Sequence, residues 1–296
     1  MTKVIEVPHS LDENSFEQVL EQVALLPPDA KILLDARHTT WASPYGLAAL
    51  LTLGQSRPAR PTLTVPEMDE TTSYWARASF FHYADEFFDL KGIVPRRTAR
   101  GDSQVLLELT PVSRSEDVHD VVDRIQDKTK QIIGKELGID PKALGGFAMT
   151  LSEVCQNIIE HAGRGGWVMV QTYNWAKRLG RRVVVIAVCD AGVGFRSSLE
   201  TSGSHVPSDR WDDAAALEAA VIRGVSRFRD PGRGQGLAGV RKYTGRWSGK
   251  LSVRSGTARI AIVPDWDEDV PLQEHLPYFP GAQIQVTIPE RLGGAR

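Results

Sequence analysis

The segment Leu151-Ser-Glu-Val-Cys-Gln-Asn-Ile-Ile-Glu-His161 carries the spacing that most constrains the fold and function of this chain. Glu153, Asn157 and His161 recur every four residues, which puts the three polar side chains on one face of a helix. An Asp-Pro start and a glycine stop predict this helix over residues 140–162. The amide oxygen of Asn157 can ligate Mg²⁺, and the carboxylate of Glu153 can orient or deprotonate a nucleophile beside it. A solvated polar helix face explains the same triplet equally well.

Two glycine-containing segments follow along the chain. Cys189-Asp-Ala-Gly-Val-Gly194 comes directly after an apolar run that reads as a strand. An Asp at a strand end can offer its carboxylate to an adenine amine, and the two glycines leave the backbone open to a nucleotide. An ordinary Asp-Xaa-Gly turn would also produce this pattern. Gly232-Arg-Gly-Gln-Gly-Leu-Ala-Gly239 opens a predicted helix, where backbone N–H groups can cradle phosphates.

The second glycine segment also matches the Gly-x-Gly-x-x-Gly fingerprint of dinucleotide-binding proteins at Gly234, Gly236 and Gly239. We reject that interpretation because the segment follows Arg-Phe-Arg-Asp-Pro and not a strand. In addition, no acidic residue lies between Gly239 and Asp265 to hold a ribose. The chain has no Gly-x4-Gly-Lys-Ser/Thr sequence, so a P-loop is excluded as well.

In this order, the three segments resemble the GHKL ATP-binding superfamily, and the resemblance covers residues 105–288. The segment LSEVCQNIIEHA is most similar to the anti-sigma-factor serine kinases. The resemblance implies a Bergerat α/β sandwich, a mixed sheet with helices on one face, that binds ATP and Mg²⁺. It implies Glu153 as catalytic base, Asn157 as Mg²⁺ ligand and Asp190 as adenine acceptor. Residues implied near the nucleotide or its phosphates are His161, Gly192, Gly194, Gly232, Arg233, Gly234, Gln235, Gly236 and Leu237.

The first part of the chain alternates short apolar strands with helical patterns, which predicts a parallel or mixed sheet with packed helices. Within it, KILLDARHTTWASPYGLAALLTL resembles the STAS domains of anti-sigma-factor antagonists through Asp35 and Gly46. The position of the usual phospho-acceptor serine holds Pro44, and Ser43 stands one place earlier. An unphosphorylated structural relative and a phosphoswitch at Ser43 both fit this pattern.

The expected organisation is therefore a two-domain α/β protein. We predict a STAS-like domain over 1–98, a linker over 99–104, a GHKL domain over 105–290 and a tail over 291–296. Within these domains the periodicity also predicts an aromatic-rich helix over 74–88, an irregular segment over 196–211 and a helix over 212–228.

Charge and cysteine content limit the range of partners. The chain has 35 Lys+Arg against 37 Asp+Glu, which indicates no partner. Residues 161–260, however, hold 17 Lys+Arg against 7 Asp+Glu, and such a basic segment indicates a polyanion, with phosphates first. Cys155 and Cys189 follow no metal-ligand spacing and read as core residues. The chain has no signal-peptide pattern and no apolar stretch of membrane-spanning length, which predicts a cytoplasmic protein.

These patterns predict a Mg-ATP-binding regulatory protein that controls an unidentified regulatory protein partner. The expected activity is that of a serine/threonine protein kinase or an ATPase, and the alternative is a non-hydrolysing ATP-gated binding switch. A sensor histidine kinase fits poorly because residues 113–140 lack a phospho-acceptor helix pattern. A homodimer is compatible with the sequence, whereas neither nucleic acid nor a membrane is expected as a partner.

Overall fold

The computed structural model describes residues 2–95, 105–114, 116–124, 151–156, 165–203, 211–225 and 236–290 of an α/β protein. The strands are β1 (Lys3–Glu6), β2 (Ser10–Leu11), β3 (Ile32–Asp35), β4 (Trp41–Ala42), β5 (Thr62–Thr64), β6 (Asp89–Lys91), β7 (Val105–Val112), β8 (Gly166–Trp175), β9 (Arg181–Asp190), β10 (Lys250–Gly256), β11 (Ala258–Ile262), β12 (Leu272–Gln273) and β13 (Phe279–Pro289). The helices are α1 (Phe16–Ala24), α2 (Pro44–Ser56), α3 (Asp69–Arg77), α4 (Phe80–Phe87), α5 (116–124), α6 (151–156), α7 (Gly194–Thr201), α8 (Asp213–Leu217) and α9 (Gly236–Arg246). The predicted linker and tail lie outside the described residues. Strand β7 begins at Val105, directly after the predicted end of the linker.

The first sheet is built from the N-terminal part of the chain in the order β1-β3-β5-β6, and all its strand pairs are parallel. Each connection between neighbouring strands contains a helix, as parallel pairing requires. The alternation of strands and helices in the sequence predicted this sheet correctly.

The second sheet has the order β12-β11-β10-β13-β9-β8-β7. A mixed sheet was expected here, but every pair of neighbouring strands is antiparallel. Two of these pairs, β8–β9 and β10–β11, are hairpins with short connections, and such connections can join only antiparallel strands.

Both faces of the second sheet are covered, as the side chains of β9 show. Val184, Ile186 and Val188 join a core with residues of α5, α6, α8 and α9. The alternating residues Ala187 and Cys189 point to the other face, where they join the core of the N-terminal part. Because both faces are buried, the strand reads as an unbroken apolar run. We call the two sides of this sheet the helix face and the α2 face.

Helix α2 lies between the two sheets and is the central element of the fold. Its residues from Pro44 to Gly54 are all buried, which explains why the helix is apolar on every side. Packing around it is close, since a Cβ added at Gly54 would lie 2.5 Å from the ring of Phe88. Helices were expected on one face of the second sheet only; the N-terminal part supplies the helix that covers the other face.

Local structure departs from the prediction in three places. The helix expected over 74–88 is two helices, α3 and α4, because Ser79 adopts a left-handed backbone conformation with φ 63°. The segment 196–211, expected to be irregular, begins inside α7. The helix expected over 212–228 continues from α8 into a π-helical turn, Glu218–Ile222. Among the described residues, no helix combines the length and apolar character needed to cross a membrane.

The basic segment identified in the sequence does not form one phosphate-facing surface. Lys250 and Arg254 of β10 are buried on the α2 face, where Lys250 donates to Glu13 over 3.0 Å and Arg254 donates to Glu17 over 2.6 Å. These ion pairs join α1, through Glu17, and the segment before it, through Glu13, to the second sheet. Part of the local positive charge therefore compensates the acidic N-terminal part of the same chain.

Candidate functional site

Asp190, the last residue of β9, is a buried carboxylate on the helix face of the second sheet. It continues the alternation of Ile186 and Val188, and its exposed fraction is 6%. Its Oδ1 accepts a hydrogen bond from the backbone N–H of Gly192 over 2.8 Å, and the backbone of Ala282 also donates to the carboxylate. Burial raises the pKa of Asp190 to about 7 against the opposing effect of these two hydrogen bonds. A carboxylate has about four acceptor positions, so this one retains capacity for the amino group of a ligand.

Two glycines with left-handed backbone conformations border this carboxylate. Gly194 has φ +73° and begins α7, and a Cβ there would lie 2.7 Å from Ser255 Oγ. Gly281 has φ +79°, and a Cβ there would overlap the backbone carbonyl of Asp190. Ser255 Oγ holds both segments together, because it accepts from Phe195 N and donates to the Gly281 carbonyl. Gly281 is therefore required for the backbone to approach Asp190 so closely, and Gly194 is required for α7 to begin against Ser255.

The N-terminus of α9 points toward the same end of the sheet as Asp190. Gln283 of β13 pairs with both Cys189 and Arg254, so β9 and β10 run in the same direction and end at the same edge. Helix α9 is joined to β10 by a tight turn in which Gly249 N donates to Thr244 O, and it therefore runs antiparallel to β10. Its first residue, Gly236, is thus directed toward the end that holds Asp190, where unpaired backbone N–H groups favour an anion.

Glu153 lies in the helical layer that covers the same face. Its neighbours on α6, Val154 and Cys155, are packed in the core of the helix face, while Glu153 itself is half-buried. The strand that follows α6 in the sequence, β8, begins at Gly166, which pairs with Asp190. The chain thus passes from α6 to the Asp190 end of the sheet within ten residues.

The other predicted site residues divide into two groups. Leu237 contributes its side chain to the core, with 5% exposed, so only its backbone is available to a ligand. The remaining six lie outside the described residues: Asn157, His161, Gly232, Arg233, Gly234 and Gln235. In the part of the chain that the structure describes, no group of three or more His, Cys, Asp or Glu side chains could hold a metal ion.

Sequence reasoning missed the contribution of the C-terminal strand to this site. The alternating apolar pattern of that strand predicts a start at Gln283. In the structure β13 begins at Phe279, and its register shifts where it meets Ser255. This irregularity brings Gly281 and Ala282 against Asp190. The signal in the sequence was the Pro280-Gly281 pair, a combination typical of turns, directly before an alternating strand.

The STAS-like positions are occupied by contacts within the N-terminal part. Ser43 is buried with 4% exposed, and its Oγ accepts a hydrogen bond from Gly46 N over 3.0 Å as the N-cap of α2. Asp35 accepts two hydrogen bonds from the Arg37 guanidinium and one from Thr64 Oγ1. The hydrogen bonds from Arg37 hold the pKa of Asp35 well below its usual range.

A scan against models of protein families finds no match for the chain. A search of curated proteins likewise finds no match.

Proposed function

We propose that this chain is a Mg-ATP-binding regulatory protein of the GHKL type, with a STAS-like N-terminal domain. One observation carries the proposal. The buried carboxylate of Asp190, the closely packed Gly194 and the N-terminus of α9 all lie at one end of one face of the second sheet. An acceptor for an adenine amine and a helix terminus for phosphates are thus available on the same side.

Each residue has a defined role in this proposal. Asp190 would accept a hydrogen bond from the adenine amino group, and the backbone at Gly192 and Gly194 would leave space for the nucleotide. The segment Gly232–Leu237 would hold the phosphates through backbone N–H groups, with the side chains of Arg233 and Gln235 as further donors. Asn157 would ligate Mg²⁺ through its amide oxygen, and His161 would lie near the phosphates or make a structural hydrogen bond.

The first candidate activity is phosphoryl transfer to a serine or threonine of a partner protein, or to water. Bound ATP with Mg²⁺ would supply the phosphoryl group. Glu153 would act as a general base: it would orient the attacking hydroxyl or water and accept its proton. A half-buried carboxylate on α6, in the helical layer that covers the sheet face of Asp190, supports this role.

A second candidate, an ATP-gated binding switch without turnover, is favoured by a separate observation. Cys189 precedes Asp190 directly and is buried in the core that contains α2. A nucleotide that orders the backbone at Asp190 would therefore change the neighbouring contact between the second sheet and the N-terminal part. That change would present or withdraw a surface for a regulatory protein partner.

Incubation of the full chain with γ-labelled ATP and Mg²⁺ tests both candidates. Labelled protein indicates a kinase, and free phosphate that is lost in Glu153→Ala indicates an ATPase. Unchanged ATP that is nevertheless bound, with binding lost in Asp190→Asn or Asn157→Ala, indicates the switch. Asp85→Asn, which changes an exposed carboxylate on α4, is the matched control and should behave as wild type. If the wild-type chain binds no adenine nucleotide, the proposal is wrong.

A further inference from the structure

A cavity of about 700 Å³ lies between the N-terminal part and the α2 face of the second sheet. Its sheet wall includes the paired residues Val185 and Thr287, and its opposite wall includes Glu17 and Glu21 of α1. Val185 precedes Asp190 by five residues, which is about 17 Å along a strand, and Asp190 belongs to the other face. This interface cavity is therefore separate from the proposed nucleotide site. Its volume is typical of a site for a small molecule.

The floor of the interface cavity is an ionic cluster with one unsatisfied acceptor. Lys250 donates to Glu13 Oε1 over 3.0 Å and lies 2.7 Å from Asp269, while Arg259 lies 2.5 Å from the same Asp269. The Glu13 side chain is only 6% exposed, yet its Oε2 accepts no hydrogen bond from the residues that the structure describes. Arg259 Nη1, at 3.9 Å, is beyond hydrogen-bond distance. A buried carboxylate oxygen without a donor is costly. This oxygen is closed to solvent, so a ligand with N–H groups would satisfy it once the Glu13 carboxylate turned toward the cavity that it lines.

The mouth of the interface cavity is acidic and aromatic. Glu21 and Glu268 are exposed there, and neither makes an ion pair with a described residue. Trp41 is 40% exposed, and its ring lies 5.9 Å from that of Tyr173. The ring of Trp175 is already covered by a guanidinium, that of Arg178, at 4.8 Å. The mouth therefore combines uncompensated negative charge with an accessible aromatic face.

These features select the charge and shape of the ligand. Seven carboxylate side chains line the cavity, and the cations beside them are Arg178 and Lys250 of the lining and Arg254 and Arg259 behind it. The excess is negative, so the cavity disfavours phosphates and other anions. A bare metal ion would have to displace Lys250 from the carboxylates of the floor. A cation with an aliphatic body, in contrast, can lie against Trp41 and direct its N–H groups to Glu21 and Glu268, and to Glu13 once that carboxylate turns toward the cavity.

We propose that the interface cavity binds a small organic cation that carries primary ammonium or guanidinium groups on an aliphatic chain. The ligand bridges α1 of the N-terminal part and the loop that contains Glu268. The proposal does not depend on nucleotide binding, because the two sites lie on opposite faces of the sheet.

Calorimetric titration of the full chain with putrescine, spermidine and agmatine tests this inference. We expect saturable binding with a dissociation constant below about 1 mM for at least one of them. The neutral isostere 1,4-butanediol should not bind, and sodium chloride at matched ionic strength should produce no saturable heat. An absence of saturable binding up to about 10 mM of all three cations, or equal binding of the diol, would overturn the proposal.

Substitutions at the mouth locate the binding to this cavity. Glu21→Gln and Glu268→Gln should each weaken binding about fivefold, the effect of losing one partly exposed charge pair. Trp41→Ala should weaken it by a similar factor, about fivefold, through loss of the cation–π contact. Glu86→Gln on the exposed side of α4 is the matched control and should leave the affinity unchanged. Equal weakening by Glu86→Gln, or no effect of any mouth variant, would show that the cations bind elsewhere.

Discussion

Asp190 combines deep burial with a position at the end of β9, and its protonation should therefore control nucleotide affinity. Because its pKa is raised to about 7, most molecules hold the neutral carboxyl below that pH. Only the ionised form offers all its oxygen lone pairs to an adenine amine, so the affinity for ATP should rise about tenfold from pH 6 to pH 8. Calorimetry at pH 6, 7 and 8 measures this rise, and Asp190→Asn, in which binding should be lost, should show no rise across the three pH values. An identical pH dependence in the variant would contradict the assignment.

The same raised pKa has the opposite consequence for stability. The native state holds the proton of Asp190 more tightly than the unfolded chain, in which the pKa of the carboxyl has its ordinary value of 3.8. The contribution of Asp190 to the free energy of unfolding is thus fully present below pH 3.8 and is lost as the pH rises through about 7. Deprotonation of Asp190, which the proposed contact with adenine requires, is therefore opposed by the fold.

Gly281 should be intolerant of any side chain. Alanine there would combine a left-handed backbone with a Cβ that overlaps the Asp190 carbonyl, so Gly281→Ala should lower the free energy of unfolding by about 2–4 kcal/mol. Gly180 is the matched control because it has φ +65° but no atom within 4 Å of an added Cβ. Gly180→Ala should cost only about 1 kcal/mol, the backbone penalty alone. Urea unfolding measures both values, and equal losses would mean that contact with Asp190 is unimportant.

At the scale of the secondary-structure element, α2 depends on the cap that Ser43 provides. Ser43→Ala removes the acceptor for Gly46 N at a buried helix start and should lower the free energy of unfolding by about 1 kcal/mol. Ser56 at the other end of α2 is the control, since Ser56→Ala removes only a bond to a carbonyl three residues earlier, and should cost under about 0.5 kcal/mol. The buried hydroxyl should also carry no phosphate after incubation with ATP, as mass spectrometry would show. Phosphate on Ser43 would contradict this role.

The elements also show how far the sequence predicts this fold. The apolar run Val183–Cys189 and the parallel arrangement of β1, β3 and β5 follow from local patterns, and both were predicted. The break at Ser79 was not, because no local turn signal marks a left-handed serine there. The side chains of Trp75 and Phe80 pack across the break, with ring centroids 4.8 Å apart. The position of α2 between two sheets likewise depends on contacts between distant segments, which no single window of sequence contains.

For the candidate site, the limit of sequence reasoning is similar. The segment around Asp190 predicted an acid at a strand end because an unbroken apolar run leads up to it. Its contact with Gly281 could not be predicted, since it requires the register shift in β13 opposite Ser255. Such an irregularity leaves only a weak Pro-Gly signal in the sequence.

At the scale of the whole molecule, the two parts of the chain share one core. Trp167, Met169 and Cys189 of the second sheet are buried in the same cluster as α2 and α1, and the ion pair between Arg254 and Glu17 joins them at the edge. Separation of the two parts would expose this apolar surface to water at about 25 cal/mol per Å². The molecule should therefore unfold as one cooperative unit and not as two independent domains.

The two cysteines provide a direct test of this cooperativity, because they lie on opposite faces of one sheet. Cys155 is buried in the core of the helix face and Cys189 in the core shared with α2, and both are free thiols. Burial raises the pKa of Cys155 to about 12 and that of Cys189 well above its usual range, so neither thiol reacts until its core opens.

Labelling with a thiol reagent under native conditions reports the opening of each core. In Cys155→Ala the remaining thiol, Cys189, reports the core shared with α2, and in Cys189→Ala the remaining thiol, Cys155, reports the core of the helix face. If the molecule is cooperative, each opening free energy should equal the global free energy of unfolding of that variant within about 0.5 kcal/mol. If the N-terminal part separates first, Cys189 will react through an opening of much lower free energy while Cys155 stays protected, and the shared core would then not be a unit of stability.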